Sequence, residues 1–370
     1  MYPAEWPELP KAKLLQKQAE LLGLGNKFKK VRQTTRFING PNSCGVEMSP
    51  STLTGQDTTG VNDGSKTTTL VTYIADAWNW GAELFCECEV RYIEKVKNGE
   101  GYRVYFAWHG RNRGLFKANL HGDLMWVHAK KAVFLGAGAI ASTEILLRSK
   151  AMGLEMSDMV GQHMSGNGDM LSFGYNTDEN VNAIGKEAPS PYNPIGPTIT
   201  SVIDCRDGHD NPLDGFVIEE GAIPHALSHL FQAMLDLMPG KKDPKDETVA
   251  EKTQAALARY GSRFLGPYFK NGAVERTQVY LIMSHDSNQA VLTLEDDKPV
   301  LEFLGVARSH HVKKLNKLLE RATEAVGGTL VQSPFYELLG QQITVHPIGY
   351  VTFYYSIPLL YHVALSLANL

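Results

Sequence analysis

The sequence predicts a mixed α/β fold, and three observations carry that prediction. A short apolar strand at residues 131–135 runs into the turn Gly136-Ala137-Gly138, and from there into a helical pattern reaching Arg148. Residues 82–96 and 102–108 alternate their side chains on either side of Gly99-Glu100-Gly101, the signature of a hairpin. Elsewhere apolar residues recur at helical spacing, most clearly at Val312, Leu315, Leu319, Ala322 and Val326. At 370 residues the chain can bury a sizeable core, in one large domain or two smaller ones.

From the N-terminus, residues 10–24 form a short amphipathic helix ending on glycine. Residues 39–68, rich in Gly, Ser, Thr, Asn and Asp, form a long irregular segment of the kind that is usually functional in compact domains. A helix over 69–80 is closed by Gly81. The next alternation sets Leu84, Cys86, Cys88, Val90 and Tyr92 on one strand face, with Tyr102, Val104 and Phe106 across the turn. A third strand near Trp126 leads into the strand at 131–135. Pro189, Pro191, Pro194 and Pro197 mark residues 175–200 as a loop or domain junction. Helices follow at 223–238 and 249–264, and strands at 279–284 and 290–294 pair around Ser287-Asn288. Ser309 caps the helix that runs through Val326, and Gly327-Gly328 closes it. No internal repeat is evident.

Apolar content of 43% and charged content of 21% are ordinary for a globular protein. A net charge of −4 with no visible basic stripe gives no electrostatic case for nucleic acid. Cys44, Cys86, Cys88 and Cys205 are too few and too scattered for a disulfide framework, and no second pair completes a zinc site. Reduced, buried cysteines follow, and with them an intracellular compartment, cytoplasmic or peripheral to a membrane. The N-terminus has neither the basic nor the apolar region of a signal peptide. Residues 347–370 carry no charge apart from a titratable His362. That length could span a bilayer, although Pro358 interrupts it and Tyr350, Tyr354, Tyr355 and Tyr361 are polar-tipped.

Three segments carry chemistry. Gly136-x-Gly138-x-x-Ala141 fits the pattern G-x-G-x-x-G/A, in which glycines let backbone N–H groups approach a phosphate or flavin in front of a positive helix end. A full dinucleotide fingerprint also needs a second strand ending in an acid. Residues 151–159 offer Glu155 and Asp158 but no strand pattern. The bland alternative is a glycine turn closing a helix against a sheet, with no ligand. Gly166-Asn167-Gly168 exposes backbone donors and an amide, or is a plain turn. Val345-His346-Pro347 sets a histidine at a strand end, where it either exchanges a proton near neutrality or serves structure.

The order and spacing of these pieces resemble the glucose–methanol–choline flavin oxidoreductases, and among them the cholesterol-oxidase-like branch. The matching residues are Gly60-Val61-Asn62-Asp63-Gly64-Ser65-Lys66 with Thr72-Tyr73, Gly81-Ala82-Glu83 with Val90, the run from Phe134 through Gly136, Gly138 and Ser142-Thr143-Glu144, Gly166-Asn167-Gly168, and His346-Pro347-Ile348-Gly349. The resemblance covers residues 7–349. It implies a partial FAD-binding, Rossmann-like domain at 76–165. Residues 1–75, which include a cofactor loop, and 166–344 would form an antiparallel-sheet substrate domain backed by helices, followed by an atypical apolar tail at 345–370. It further implies FAD-dependent oxidation of the CH–OH group of an alcohol, a sterol or other bulky apolar one, with hydride passing to flavin N5. Oxygen or another electron acceptor would then reoxidise the flavin. Val90 would meet the adenine end through its backbone, Gly136, Ala137 and Gly138 would approach the cofactor, and Asn167 and Gly168 would lie near the isoalloxazine. His346 would be the catalytic histidine. For the branch's glutamate base the candidates are Glu219 or Glu220, and Glu275, each with an exposed salt-bridging role as its alternative.

The chain departs from the family at both ends. The family's glycine fingerprint lies before the region matching residue 1, and the resemblance stops at Tyr350. The expectation is a truncated chain with unpaired sheet edges and exposed apolar faces that binds FAD weakly or not at all. Two rival readings stay open: a nicotinamide-dependent, NAD(P)-type reductase with its nucleotide at Gly136–Ala141, and a truncated, non-catalytic chain that contacts a membrane through its tail.

Overall fold

A computed structural model describes residues 1–97, 99–110, 122–189, 192–238, 248–302, 310–334, 336 and 344–349. In chain order its elements are α1 (Pro10–Leu21), β1 (Phe28–Lys30), β2 (Gly40–Pro41), β3 (Glu47–Met48), α2 (Ala75–Asn79), β4 (Cys88–Lys95), β5 (Tyr102–Trp108) and β6 (Met125–Ala129). There follow α3 (Gly138–Ala151), β7 (Met170–Tyr175), β8 (Ser201–Cys205), β9 (Phe216–Gly221), α4 (Ser228–Leu237) and α5 (Val249–Leu265). The last are β10 (Gln278–Met283), β11 (Val291–Glu295), β12 (Lys298–Glu302), α6 (His310–Glu324) and β13 (Thr329–Gln332). The chain divides into two units, one of Met1–Ala82, Gly168–Asp286 and Ala307–Thr344, the other of Glu83–Asn167, Ser287–Val306 and Val345–Leu370. The fold is thus mixed α/β with antiparallel sheets.

The first unit is built on a six-stranded antiparallel sheet in the order β1-β8-β9-β10-β7-β13. Strand side chains alternate between faces. Ile203, Ile218, Tyr280, Ile282 and Leu330 therefore share one face, packed with Leu15 and Ala19 of α1 and Leu315 and Leu319 of α6. Phe173, Tyr175, Val279 and Val331 occupy the other, against Phe231 and Leu235 of α4 and Ala258 of α5. Pro10 presets the first turn of α1, and Gly23 at φ +73° lets the chain leave after it. Gln18 of α1 donates to the Tyr280 hydroxyl at 2.5 Å and to the Ala322 carbonyl at 3.0 Å, tying both helices to the sheet. Complete burial pushes the Tyr280 phenol up to about 12. Lys11, also buried, meets Glu220 at 2.5 Å and the Thr198 carbonyl at 2.9 Å.

The second unit holds the three-stranded antiparallel sheet β4-β5-β6, the helix α3 and the hairpin β11-β12. That hairpin turns through Asp296 and Asp297, whose φ values of +47° and +62° suit a tight two-residue turn. From the turn Asp297 accepts from Arg148 Nε at 2.5 Å and pairs with Arg91. Both guanidinium groups are nearly buried, and each also pairs with a second carboxylate, Arg91 with Glu89 and Arg148 with Glu144, so Asp297 joins β4, α3 and the hairpin within one charge network.

Several sequence expectations need correction. Residues 131–135 form no strand, because among the described residues no chain lies alongside to accept their ladder, and Phe134 is 78% exposed. The strand expected from residue 82 begins only at Cys88. Glu87 sits at φ +59°, and a bulge between Val90 and Tyr92 breaks the alternation. The 279–284 strand does not pair with 290–294. As β10 it lies in mid-sheet between β7 and β9, while β11 finds β12 across the Asp296-Asp297 turn. The cysteines are free, but only Cys205 is buried and Cys86 is exposed. Ser309 and the tail at 350–370 lie outside the described residues. Among the described residues no helix is long and apolar enough to cross a membrane.

Two outcomes follow from this packing. Lys11→Met strands the Glu220 carboxylate without its cation and is expected to lower stability by about 3–5 kcal/mol in urea unfolding. The His311 imidazole is held below the usual histidine range by burial, with Lys314, His285 and His209 adding to the effect and Asp214 opposing it. The unfolded chain therefore binds this proton more readily, so stability falls as pH drops from about 6.5 towards the lower folded value. Denaturation midpoints at roughly pH 7.5 and pH 5 should differ less in His311→Gln than in the parent chain.

Candidate functional site

The glycine turn before α3 is open. At Gly136 and Gly138 an added Cβ would meet nothing within 4 Å, so neighbouring protein atoms do not demand glycine there. At Gly138 the backbone does, with φ at +83°. The Ala137 N–H donates to Ser142 Oγ at 3.2 Å, which orients the turn over the first residues of the helix. A 14-residue helix leaves its first N–H groups without intrahelical acceptors, and these face outward with the positive end of its dipole.

The histidine segment arrives at this same helix end. Ile348 bridges Ser165, its N–H donating to the Ser165 carbonyl at 2.8 Å and its carbonyl accepting from Ser165 at 3.0 Å. Gly349 then passes so close to α3 that a Cβ would come within 2.9 Å of the Ala139 carbonyl and 3.0 Å of Thr143 Oγ1. Here the need for glycine is steric. Ser165 and Ile348 form an isolated antiparallel bridge, with Asn167 two residues after the one and His346 two residues before the other. Asn167 adopts φ +58°, and its N–H donates to Ser165 Oγ at 3.0 Å. The strip carrying Ser165 is itself held by Met164 and Ala290, which exchange hydrogen bonds of 2.8 and 3.1 Å ahead of β11. Gly136, Ala137, Gly138, Asn167 and the His346–Gly349 run thus belong to one unit, and Gly349 brings the end of that run onto the first turn of α3.

The other expected residues lie elsewhere. Gly168, which opens the second segment of the other unit, is packed rather than open: a Cβ would come within 2.5 Å of Ser284 Oγ. Val90 sits in β4 opposite Phe106, beside the bulge. Glu275 accepts from the Asn271 N–H at 2.5 Å and caps that turn. Glu220 is fully buried. Besides Lys11 it accepts from Thr200 N–H at 2.8 Å, Thr200 Oγ1 at 2.5 Å and Ser201 N–H at 2.9 Å, so its oxygens are committed to holding α1 and β8. Its neighbour Glu219 points to the opposite face. There it stands in a row with Val202, Leu281 and Leu171 on adjoining strands. Among the described residues no group of three or more His, Cys, Asp or Glu side chains could hold a metal ion.

Sequence reasoning missed Ser165, which both pairs with Ile348 and receives the Asn167 N–H. Its one local signal is a hydroxyl two residues before an amide, the spacing of a serine turn. No protein-family model matches this chain, and no curated protein matches it. The packing of Gly349 gives a direct check. Gly349→Ala should lift the segment off α3, seen as faster amide exchange at Ile348 and Ser165 while the six-stranded sheet keeps its protection.

Proposed function

We propose that this chain serves as an FAD-dependent oxidoreductase acting on the CH–OH group of a bulky apolar alcohol. The observation that carries the reading is the meeting of the glycine turn and the histidine segment at the N-terminus of α3. These stretches lie some two hundred residues apart in the sequence, and chain connectivity does not require them to meet. The residues present fit a flavin nucleotide: two glycines front open space, with helix amides behind them, a surface that accepts a flat, anionic group. Bound there, FAD supplies the acceptor for the hydride leaving carbon. The chain's own residues do the rest. His346 takes or holds the hydroxyl proton, Asn167 shapes the turn after Ser165 through its N–H to Ser165 Oγ, and the turn amides at Gly136–Gly138 bind negative charge. Of the adjacent carboxylates, Glu220 is committed to Lys11, Thr200 and Ser201, whereas Glu219 lies on the other sheet face with Leu171, Leu281 and Val202. The bulky, apolar alcohol follows from the resemblance to the cholesterol-oxidase-like branch. Oxygen or another acceptor completes the cycle.

A second reading has its own observation. Phe85 and Phe134 are 76% and 78% exposed in the unit that carries the glycine turn, and β6 is exposed along most of its length. Such a surface suits a family member that has lost catalysis. The nicotinamide alternative gains nothing, since no strand follows α3 before β7 among the described residues.

The absorbance spectrum of the folded chain, with and without added FAD, separates the two readings. The expected result is a flavin band that bleaches on addition of an apolar alcohol. His346→Ala should keep the band and slow bleaching by about 10²–10⁴-fold. A folded chain that takes up no flavin would favour the non-catalytic reading.

A further inference from the structure

The near-neutral charge of the whole chain conceals a local imbalance. Between residues 9 and 36 there are eight lysines and arginines and a single acid, Glu20, although Lys11, Lys13, Lys17 and Lys29 are ion-paired in the fold with Glu220, Glu8, Glu179 and Asp204. The fold carries part of this run to a free sheet edge. β1 is the terminal strand of the six-stranded sheet and pairs only with β8 among the described residues, Lys29 opposite Val202 and Lys30 opposite Ser201. Val31 N–H donates to the Thr200 carbonyl at 3.0 Å, so the inward-bonding positions are the odd ones, and the N–H and C=O of Lys30 face outward.

Beside this edge lies a shallow, solvent-open cleft between the N-terminal arm, α1 and β1. Tyr2, Trp6, Leu9 and Phe28 form its walls, and Lys13, Lys30 and Glu8 stand on it, Lys13 paired with Glu8 at 3.4 Å, which leaves Lys30 as its unpaired cation among the described residues. Tyr2 and Trp6 meet edge to face at 5.9 Å, which sets the aromatic wall rigidly. Lys29, on the opposite side of the strand, is occupied by Asp204 at 2.5 Å. Among the described residues no carboxylate lies within ion-pair distance of Lys30 or of Arg32. A lysine alone on an edge guards a sheet against pairing with other sheets. Here the lysine stands next to an apolar cleft, and the outward backbone groups lie between the two.

We propose that the β1 edge, with the Trp6–Phe28 cleft, binds an extended acidic segment of a partner protein that adds as a further strand and seats one aromatic or apolar side chain in the cleft. Backbone hydrogen bonds to Lys30 supply affinity in this mode, and the cleft and the unpaired cations supply selectivity. Positive charge against an otherwise acidic chain identifies the partner segment as rich in Asp and Glu.

The test is fluorescence anisotropy on the full chain with a labelled peptide carrying one Phe flanked by Asp and Glu. A peptide with Lys in place of the acids, and a single-stranded oligonucleotide, serve as competitors. The acidic peptide is expected to bind, more weakly at high salt, and to slow amide exchange at Lys30. Lys30→Pro removes an outward N–H that the sheet does not use. It should weaken binding about tenfold with thermal unfolding unchanged. Lys30→Glu, which keeps the N–H and reverses the charge, should weaken it as well. No binding of the acidic peptide, unchanged affinity in both variants, or equal competition by the basic peptide or the oligonucleotide would overturn the proposal.

Discussion

Asp297 ties three elements of the second unit together, β4, α3 and the β11-β12 hairpin. Two guanidinium groups, Arg91 from β4 and Arg148 from α3, are nearly buried; Glu89 and Glu144 each serve one of them, and Asp297 bridges both. The anion is presented at the tip of a two-residue turn, so the turn geometry at Asp296 and Asp297 decides whether the charges meet. Part of the candidate site hangs on the same hairpin. The hairpin fixed by Asp297 holds Met164 through Ala290, the strip after Met164 holds Ile348, and Ile348 leads Gly349 onto α3. The glycine turn is the N-terminal end of the same helix whose C-terminal half carries Arg148.

Adjacent carboxylates in the first unit show how a strand divides labour. Glu219 and Glu220 differ by one position, and the two-residue period of the strand sends them to opposite faces. Glu220 enters the α1 side, where Lys11, Thr200 and Ser201 satisfy it, and becomes a fastening between helix and sheet. Glu219 enters a row of aliphatic side chains. Composition and motif treat the two as equivalent, and only the alternation relative to α1 separates them.

Local features were legible in the residues themselves. Pro10 and Gly23 bound α1, the glycines around residue 100 close the β4–β5 hairpin, and Gly327 at φ +75° ends the last helical region. Each depends on backbone preferences within a few residues. The strand pairings were less legible. Residues 279–284 and 290–294 look like neighbours because they are close in sequence, yet β10 takes partners from around residues 170 and 220. A strand's apolar pattern records that it is buried, not beside which strand. The same limit explains residues 131–135, where an apolar run resembles a strand although the described residues provide no adjacent ladder.

By itself the sequence determined the mixed α/β class, most helix ends, the glycine turn before α3 and the histidine held by proline. These rest on dihedral limits and periodicity, which act over one or two turns of chain. Tertiary structure decided that the turn and the histidine segment meet, that Gly349 is required by the Ala139 carbonyl rather than by its own φ, and which of Glu219 and Glu220 faces an apolar row. It also decided that β1 has a free edge. Each of these depends on the approach of segments far apart in the chain, and that approach is set by buried charge and by the close packing of side chains, which no local pattern encodes.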